Sequence, residues 1–140
     1  IQFPKFANHL WDKHYINNIL TLLRQWRIMT TRDNVVIIIE TSIFTRQVLT
    51  LLSEEEYRKL QLALILRPNL GVVIPGSGGL RKARWALKDR GKRGGVRTIY
   101  YWAVAQDQIL MLMIYAKNEQ DDLTPDQLKI LRRIIEEEYR

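Results

Sequence analysis

A chain of 140 residues with 46% hydrophobic and 26% charged side chains suits one domain with a modest core and is too apolar to stay unfolded. The absence of cysteine excludes disulfides, thiolate nucleophiles and cysteine zinc sites together. The longest apolar runs, "VVIII" and "ILMLMIYA", are far shorter than a membrane span. A net charge of +7 and a pI near 9.9 point to nucleic acid or another anionic surface. With no secretory pattern in the first residues, the expectation is a cytoplasmic protein with no membrane partner.

Residues 1–28 stand apart. Between 8 and 26, Leu10, Trp11, Tyr15, Ile19, Leu22, Leu23 and Trp26 recur at a spacing that predicts a helix. The following "MTTRDN" resembles the start of a reading frame. Two accounts therefore stand side by side: a helix docked on the domain, or upstream sequence joined to a domain of residues 29–140. His9 and His14 lie five apart in this segment without companion ligands, which speaks against a metal site.

The β-branched run at 35–40 predicts a buried strand, and a short helix is expected over 44–52. In "SEEEYRKLQLALILRPN" a second helix starts with Ser53 as cap, Glu56 as capping-box partner and acids at the positive end of the dipole. Tyr57, Leu60 and Leu64 fall at core spacing, and Pro68 ends the helix. Beyond the Gly/Pro-rich "NLGVVIPGSGGL", strands are expected at 80–87, 96–105 and 109–116, joined as hairpins by "DRGKRGG" and "AQDQ". A last helix opens at Thr124, with Pro125 in its first position and Gln127 as reciprocal cap. Its apolar face is Leu128, Leu131, Ile134 or Ile135, and Tyr139. The order β-α-α-β-β-β-α predicts an α+β fold: a mostly antiparallel four-stranded sheet with helices on one face, preceded by the N-terminal helical extension.

The positive charge is concentrated. From Arg81 to Arg97 there are eight basic residues and one acid, a local excess equal to the net charge of the whole chain; the remainder balances at fourteen of each sign. Self-repulsion of this density weakens a fold, and a polyanion offsets it. Strand alternation puts Lys82 and Arg84 on one side of their strand and Arg81, Ala83, Trp85 and Leu87 on the other. Arg97 in the next strand is available to join Lys82 and Arg84 on an open sheet face. Such cations hold phosphate by point charge and bidentate fork. Tyr100, Tyr101 and Trp102 lie beside them, where aromatic rings either stack on unpaired RNA bases or fill the core. Arg81, Lys88, Arg90, Lys92 and Arg93 extend the basic surface available to a polyanion.

Other chemistry lacks its residues. Neither "GSGGL" nor "RGKRGG" has the order of a nucleotide-binding loop, and there is no Ser-His-Asp candidate, because both His lie in the N-terminal segment. Glu119, Asp121, Asp122 and Asp126 lack calcium-loop spacing; acids ahead of a helix are accounted for by its dipole. No metal and no cofactor are expected.

The long succession "GGLRK", "GKRGGVRTIYY" and "YAKNEQDDLTPDQ" resembles the RelE/HigB-type toxins of bacterial toxin–antitoxin pairs, the HigB branch above all, over residues 35–140. The resemblance implies a compact ribonuclease fold, cleavage of mRNA in the ribosomal A site, and a cognate antitoxin that blocks the toxin. DNA would be met only through that antitoxin. Lys82 and Arg84 match the basic strand positions that such toxins use around the scissile phosphate. Arg97 matches the arginine after the glycine loop, Tyr100 a tyrosine of the same strand, and Lys117 the basic residue closing the last strand. Asn118 and Thr124 depart from the family pattern, where a further arginine and a tyrosine stand.

The implied reaction is attack of a 2′-hydroxyl on its own adjacent phosphate, which cations can promote by stabilising the phosphorane. Arg97 is the candidate stabiliser, and Lys82 or Lys117 the candidate base or acid. Two readings of another class stand beside it: a non-catalytic toxin that binds DNA gyrase, and a basic RNA-binding module.

Overall fold

The valine- and isoleucine-rich run after residue 33 anchors the architecture, because β-branched side chains suit a pleated, buried strand. In a computed structural model, which describes residues 25–31, 34–87 and 95–139, this run is β2, Asn34–Glu40. It follows β1, Gln25–Thr31, and leads into α1, Ser42–Leu51, and α2, Glu54–Leu66. Then come β3, Val72–Val73; β4, Arg81–Trp85; β5, Val96–Ala103; β6, Gln108–Ala116; and α3, Pro125–Tyr139. Among the described residues the sheet has six strands in the order β1-β2-β6-β5-β4-β3. β2 runs parallel to β6, and the other described neighbours are antiparallel.

The mostly antiparallel α+β fold expected from the sequence is the fold observed, with two strands more than the four expected. β3 is too short to show a period. β1 pairs residue by residue with β2, from Gln25 against Glu40 to Thr31 against Asn34, and so crosses the boundary drawn at residue 28. The expected N-terminal helix lies outside the described residues except at Gln25 and Trp26, which belong to β1.

The helix starts follow their capping residues. Thr41 accepts from the Phe44 N–H at 3.1 Å and donates to the Leu112 carbonyl at 2.8 Å, tying the start of α1 to β6. Ser53 and Glu56 form the full capping box of α2, and Thr124 and Gln127 form its counterpart at α3, at 2.9 and 3.2 Å.

Helices cover both faces of the sheet, not the single face expected. On one side Phe44, Val48, Tyr57, Leu60 and Leu64 of α1 and α2 pack on Ala83, Val96, Tyr100, Met111 and Ile114. On the other, Leu131, Ile134 and Ile135 of α3 pack on Ile99, Met113 and Tyr115. Burying each such Val, Leu, Ile, Phe or Met side chain contributes about 1.5–3 kcal/mol. β6 can serve both layers because seven of its nine residues are buried. The β5–β6 register shifts between Ile99 and Tyr100, which pair with Met113 and Met111, leaving Leu112 as the extra residue of a bulge.

Candidate functional site

Residues directly opposite in an antiparallel pair share a face, so the register sorts the basic segment. Arg84 pairs with Arg97, and Arg97 with Tyr115 across β6. Lys82 pairs with Ile99, and Ile99 with Met113. Lys82, Arg84, Arg97 and Tyr115 therefore stand on the α3 face, in two adjacent rows spanning three strands. Like charges placed directly opposite destabilise a strand pair; Arg84 against Arg97 is such a pair.

The counter-charge comes from the loop that precedes α3. The Lys82 ammonium donates a hydrogen bond to the Asp122 carboxylate and forms an ion pair with it. The hydrogen bond and charge of Lys82 hold the Asp122 carboxyl below the usual carboxylate range; slight burial works against this, and Arg84 and Arg97 reinforce it. One cation thus pairs with the carboxylate, and two more share its face of the sheet. The loop that carries it is fixed from beneath. The buried Gln120 donates to the Asp122 carbonyl at 2.7 Å and to Gln127 Oε1 at 3.0 Å, and the Tyr115 hydroxyl reaches the Asp121 carbonyl at 3.4 Å.

Tyr115 forms the floor. It is almost wholly buried. Burial, helped by the charges of Asp122 and Asp121 and opposed by Arg97, pushes its phenol up to about 12, so it stays protonated near neutral pH.

The structure brings together Lys82, Arg84 and Arg97 but not all the expected site residues. Lys117 ends β6, where its N–H donates to the Gly95 carbonyl at 3.0 Å beside the start of β5; its side chain is exposed and is not among the charges acting on Asp122. Tyr100 requires a correction. Three positions from Arg97, it points to the opposite face and is completely buried among α1 and α2 side chains. Its hydroxyl donates to the Pro68 carbonyl at 2.6 Å and accepts the Gly71 N–H at 2.8 Å, and burial raises its pKa despite the Gly71 hydrogen bond and the nearby Arg81 charge.

Arg81 shares that face. Its guanidinium donates to the Gly71 carbonyl at 2.8 Å, clamping the loop before β3 rather than joining Lys82. Gly71 has to be glycine there, since a Cβ would lie 2.8 Å from the Tyr100 ring and 3.0 Å from the Lys82 backbone. The neighbouring aromatics are also engaged. Tyr101 packs on Tyr139 of α3 with ring centroids 5.2 Å apart, and the half-buried Trp102 joins the α1/α2 layer. Lys88, Arg90, Lys92 and Arg93 lie outside the described residues.

The glycine-rich stretch between β3 and β4 is a structural turn. Buried Ser77 donates to the Ile74 carbonyl at 2.5 Å and accepts the Leu80 N–H at 3.0 Å, while Gly78 and Gly79 take positive φ. Arg132 of α3 closes on it through the Gly76 carbonyl at 3.2 Å. Among the described residues no three His, Cys, Asp or Glu side chains gather into a metal-holding group, and no helix is long and apolar enough to cross a membrane.

Asp122 and Tyr115 are the site residues that sequence reasoning missed. Tyr115 was accessible from hairpin register, which sets it opposite Arg97. Asp122 carried no such signal, since an acid two residues before a helix cap is sufficiently explained by the dipole. Residues 75–139, which include the three cations, Tyr115, Asp122 and α3, match the family described as "RelE toxin of RelE / RelB toxin-antitoxin system".

Proposed function

Residues 75–139 belong to the RelE toxin family, and on that premise we propose that this protein, a toxin of a toxin–antitoxin pair, is a ribosome-dependent endoribonuclease that cleaves mRNA in the A site. Translation-inhibiting mRNA cleavage is the general activity of the family; the A site, the metal-free mechanism and membership of the HigB branch are our finer reading. The observation that carries it is the placing of Lys82, Arg84 and Arg97 on one face of the sheet, with Lys82 held to an exposed carboxylate. A site that holds a carboxylate in this way has the charge to hold a phosphodiester.

In this reading the mRNA phosphate lies across Arg84 and Arg97, whose guanidinium forks stay charged and span two oxygens. The 2′-hydroxyl attacks the adjacent phosphorus, the P–O5′ bond breaks, and a 2′,3′-cyclic phosphate and a free 5′-hydroxyl result. Arg97 stabilises the phosphorane, as preorganised donors do where charge develops. Lys82, already an ammonium in its ion pair, adds positive charge and a proton donor for the departing oxygen. The proton of the 2′-hydroxyl passes to solvent, since the cluster itself offers only cations. Tyr115 supports the floor through packing and its hydroxyl.

The antitoxin is the family's cognate partner; mRNA, ribosomal RNA and a cytoplasmic location follow from the proposed substrate. The test is to map mRNA 5′ ends in cells after brief induction. Ends clustered within translated frames support the reading, and ends in untranslated RNA at equal frequency contradict ribosome dependence. Unchanged mRNA together with arrested replication would favour the gyrase-binding alternative.

A further inference from the structure

The Asp122 carboxylate sits on Lys82, beside the arginines where the proposed function needs a phosphate, and the helix dipole no longer accounts for it. α3 has its own cap in Thr124 and its own first-turn acid in Asp126. Asp122 instead reaches across forty positions to Lys82. Its backbone is held by the buried Gln120, whose amide also ties the loop to Gln127 within α3, and the adjoining carbonyl is met by Tyr115. The carboxylate itself is free of that scaffold: the side chain is 73% exposed, against 20% for Lys82. It can leave the cations by rotation about its own side-chain bonds, with the loop unmoved.

We propose that Asp122 is a specificity-determining residue of the anion site: its carboxylate caps Lys82, so that a small anion has to displace it whereas an RNA strand binds first to Arg84 and Arg97 with the cap in place. The inference rests on reading this cluster as the phosphate site. A free phosphate that displaces the carboxylate from Lys82 exchanges one anion for another beside the same cations, and its gain is small. A strand carries successive phosphates, so it engages Arg84 and Arg97 while the carboxylate stays on Lys82, and it escapes the cost of displacing the cap. The counterions released along a strand add to its advantage. The cap thus filters out abundant small anions and relieves the Arg84–Arg97 repulsion in the unliganded protein.

The test measures binding by the full chain of two probes, inorganic phosphate and a non-cleavable 2′-O-methyl hexaribonucleotide, at one fixed ionic strength. Asp122→Asn removes the charge and keeps the shape. Asp121→Asn removes an equal charge from the adjacent residue, which makes no ion pair with Lys82, and reports the general electrostatic effect. Asp122→Asn is expected to tighten phosphate about tenfold and the hexanucleotide only about twofold, since a like charge in direct contact is the costly one. Asp121→Asn is expected to change both by about twofold or less, as exposed charges are screened. Asp122→Glu should restore the selectivity for the strand. If Asn unfolds the loop, seen as a lowered melting temperature, Asp122→Ser carries the same comparison.

Equal effects of the Asp121 and Asp122 variants, or weaker phosphate binding by Asp122→Asn, would overturn the inference. The underlying reading is checked separately with Lys82→Gln and Arg97→Gln. Hexanucleotide binding unaffected by both would remove the phosphate site itself, whereas weakened binding with equal Asp121 and Asp122 effects removes only the cap.

Discussion

The two faces of the β4–β5 pair are built from the same basic stretch and do different work. On the α1/α2 face, Arg81 and Tyr100 are paired across the strands and spend their polar groups on the Gly71 and Pro68 backbone. On the α3 face, Arg84 opposes Arg97 and Lys82 stands nearby, with an exposed carboxylate as their shared counter-charge. The first arrangement is satisfied from within the fold and stabilises it. The second has a surplus of charge at a solvent-accessible corner and is suited to a ligand. Strand alternation alone decides which arginine does which.

The difference is broken most sharply at Arg97. Arg97→Ala should abolish growth inhibition, with cleavage falling by about 10²–10³-fold as for loss of a transition-state donor, while the melting temperature is unchanged or slightly raised. Full toxicity in a folded variant would place the phosphate elsewhere. The reverse pattern is expected across the sheet. Tyr100→Phe leaves the Gly71 N–H and the Pro68 carbonyl without their partner and should cost about 1–3 kcal/mol of stability, read from chemical denaturation. Toxicity at permissive temperature should persist; a folded but inactive Tyr100→Phe protein would return the tyrosine to the chemistry.

A cut within β1 extends the comparison to the sheet edge. A chain beginning at Met29 loses the pairing of Gln25 to Ile28 with β2 and should melt below one beginning at Gln25, by about 1 kcal/mol or more for the lost ladder. Its specific activity per folded molecule should be unchanged, because β1 lies on the far side of β2 and β6 from the cations. Equal melting of the two chains would show that this edge adds nothing to stability.

The smallest expected effect is on alkaline stability. Tyr115 and Tyr139 are pushed up to about 12, both mainly by burial. Above pH 10 their unfolded forms ionise while the folded forms stay neutral. The stability they contribute is therefore fully present below pH 10 and is lost as pH rises toward about 12. Tyr115→Phe should flatten that decline in a pH series of melting temperatures, and an unaltered slope would mean that Tyr115 is not held neutral by the fold.

Much of this organisation was legible in the residues, where local physics decides it. The Ser53–Glu56 and Thr124–Gln127 boxes mark helix starts in sequence because both partners lie within four residues. The runs that became β2, β5 and β6 are recognisable by composition and by their turns. The separation of Lys82 from Arg81 follows from a period of two, and the same rule puts Tyr100 on the face opposite Arg97, against the site role that the family resemblance implied for it. The second helical layer was less accessible, since burial of β6 on both sides reads only as a long apolar run. Asp122 was hidden for a different reason. Its partner is forty residues away, and the contact depends on a loop shape set by Gln120, whose role no periodic pattern reveals.

The central claim is that the α3-face cations cut mRNA on the ribosome, and reconstituted translation of one defined message tests it directly. Purified wild-type protein is added to ribosomes stalled at a known codon and to the same message without ribosomes, and new 5′ ends are mapped by primer extension. The account predicts ends within the A-site codon, bearing 5′-hydroxyls, with naked message cut far more slowly and Arg97→Ala inert in both settings. Rapid cutting of the naked message, or intact message on stalled ribosomes, would contradict it.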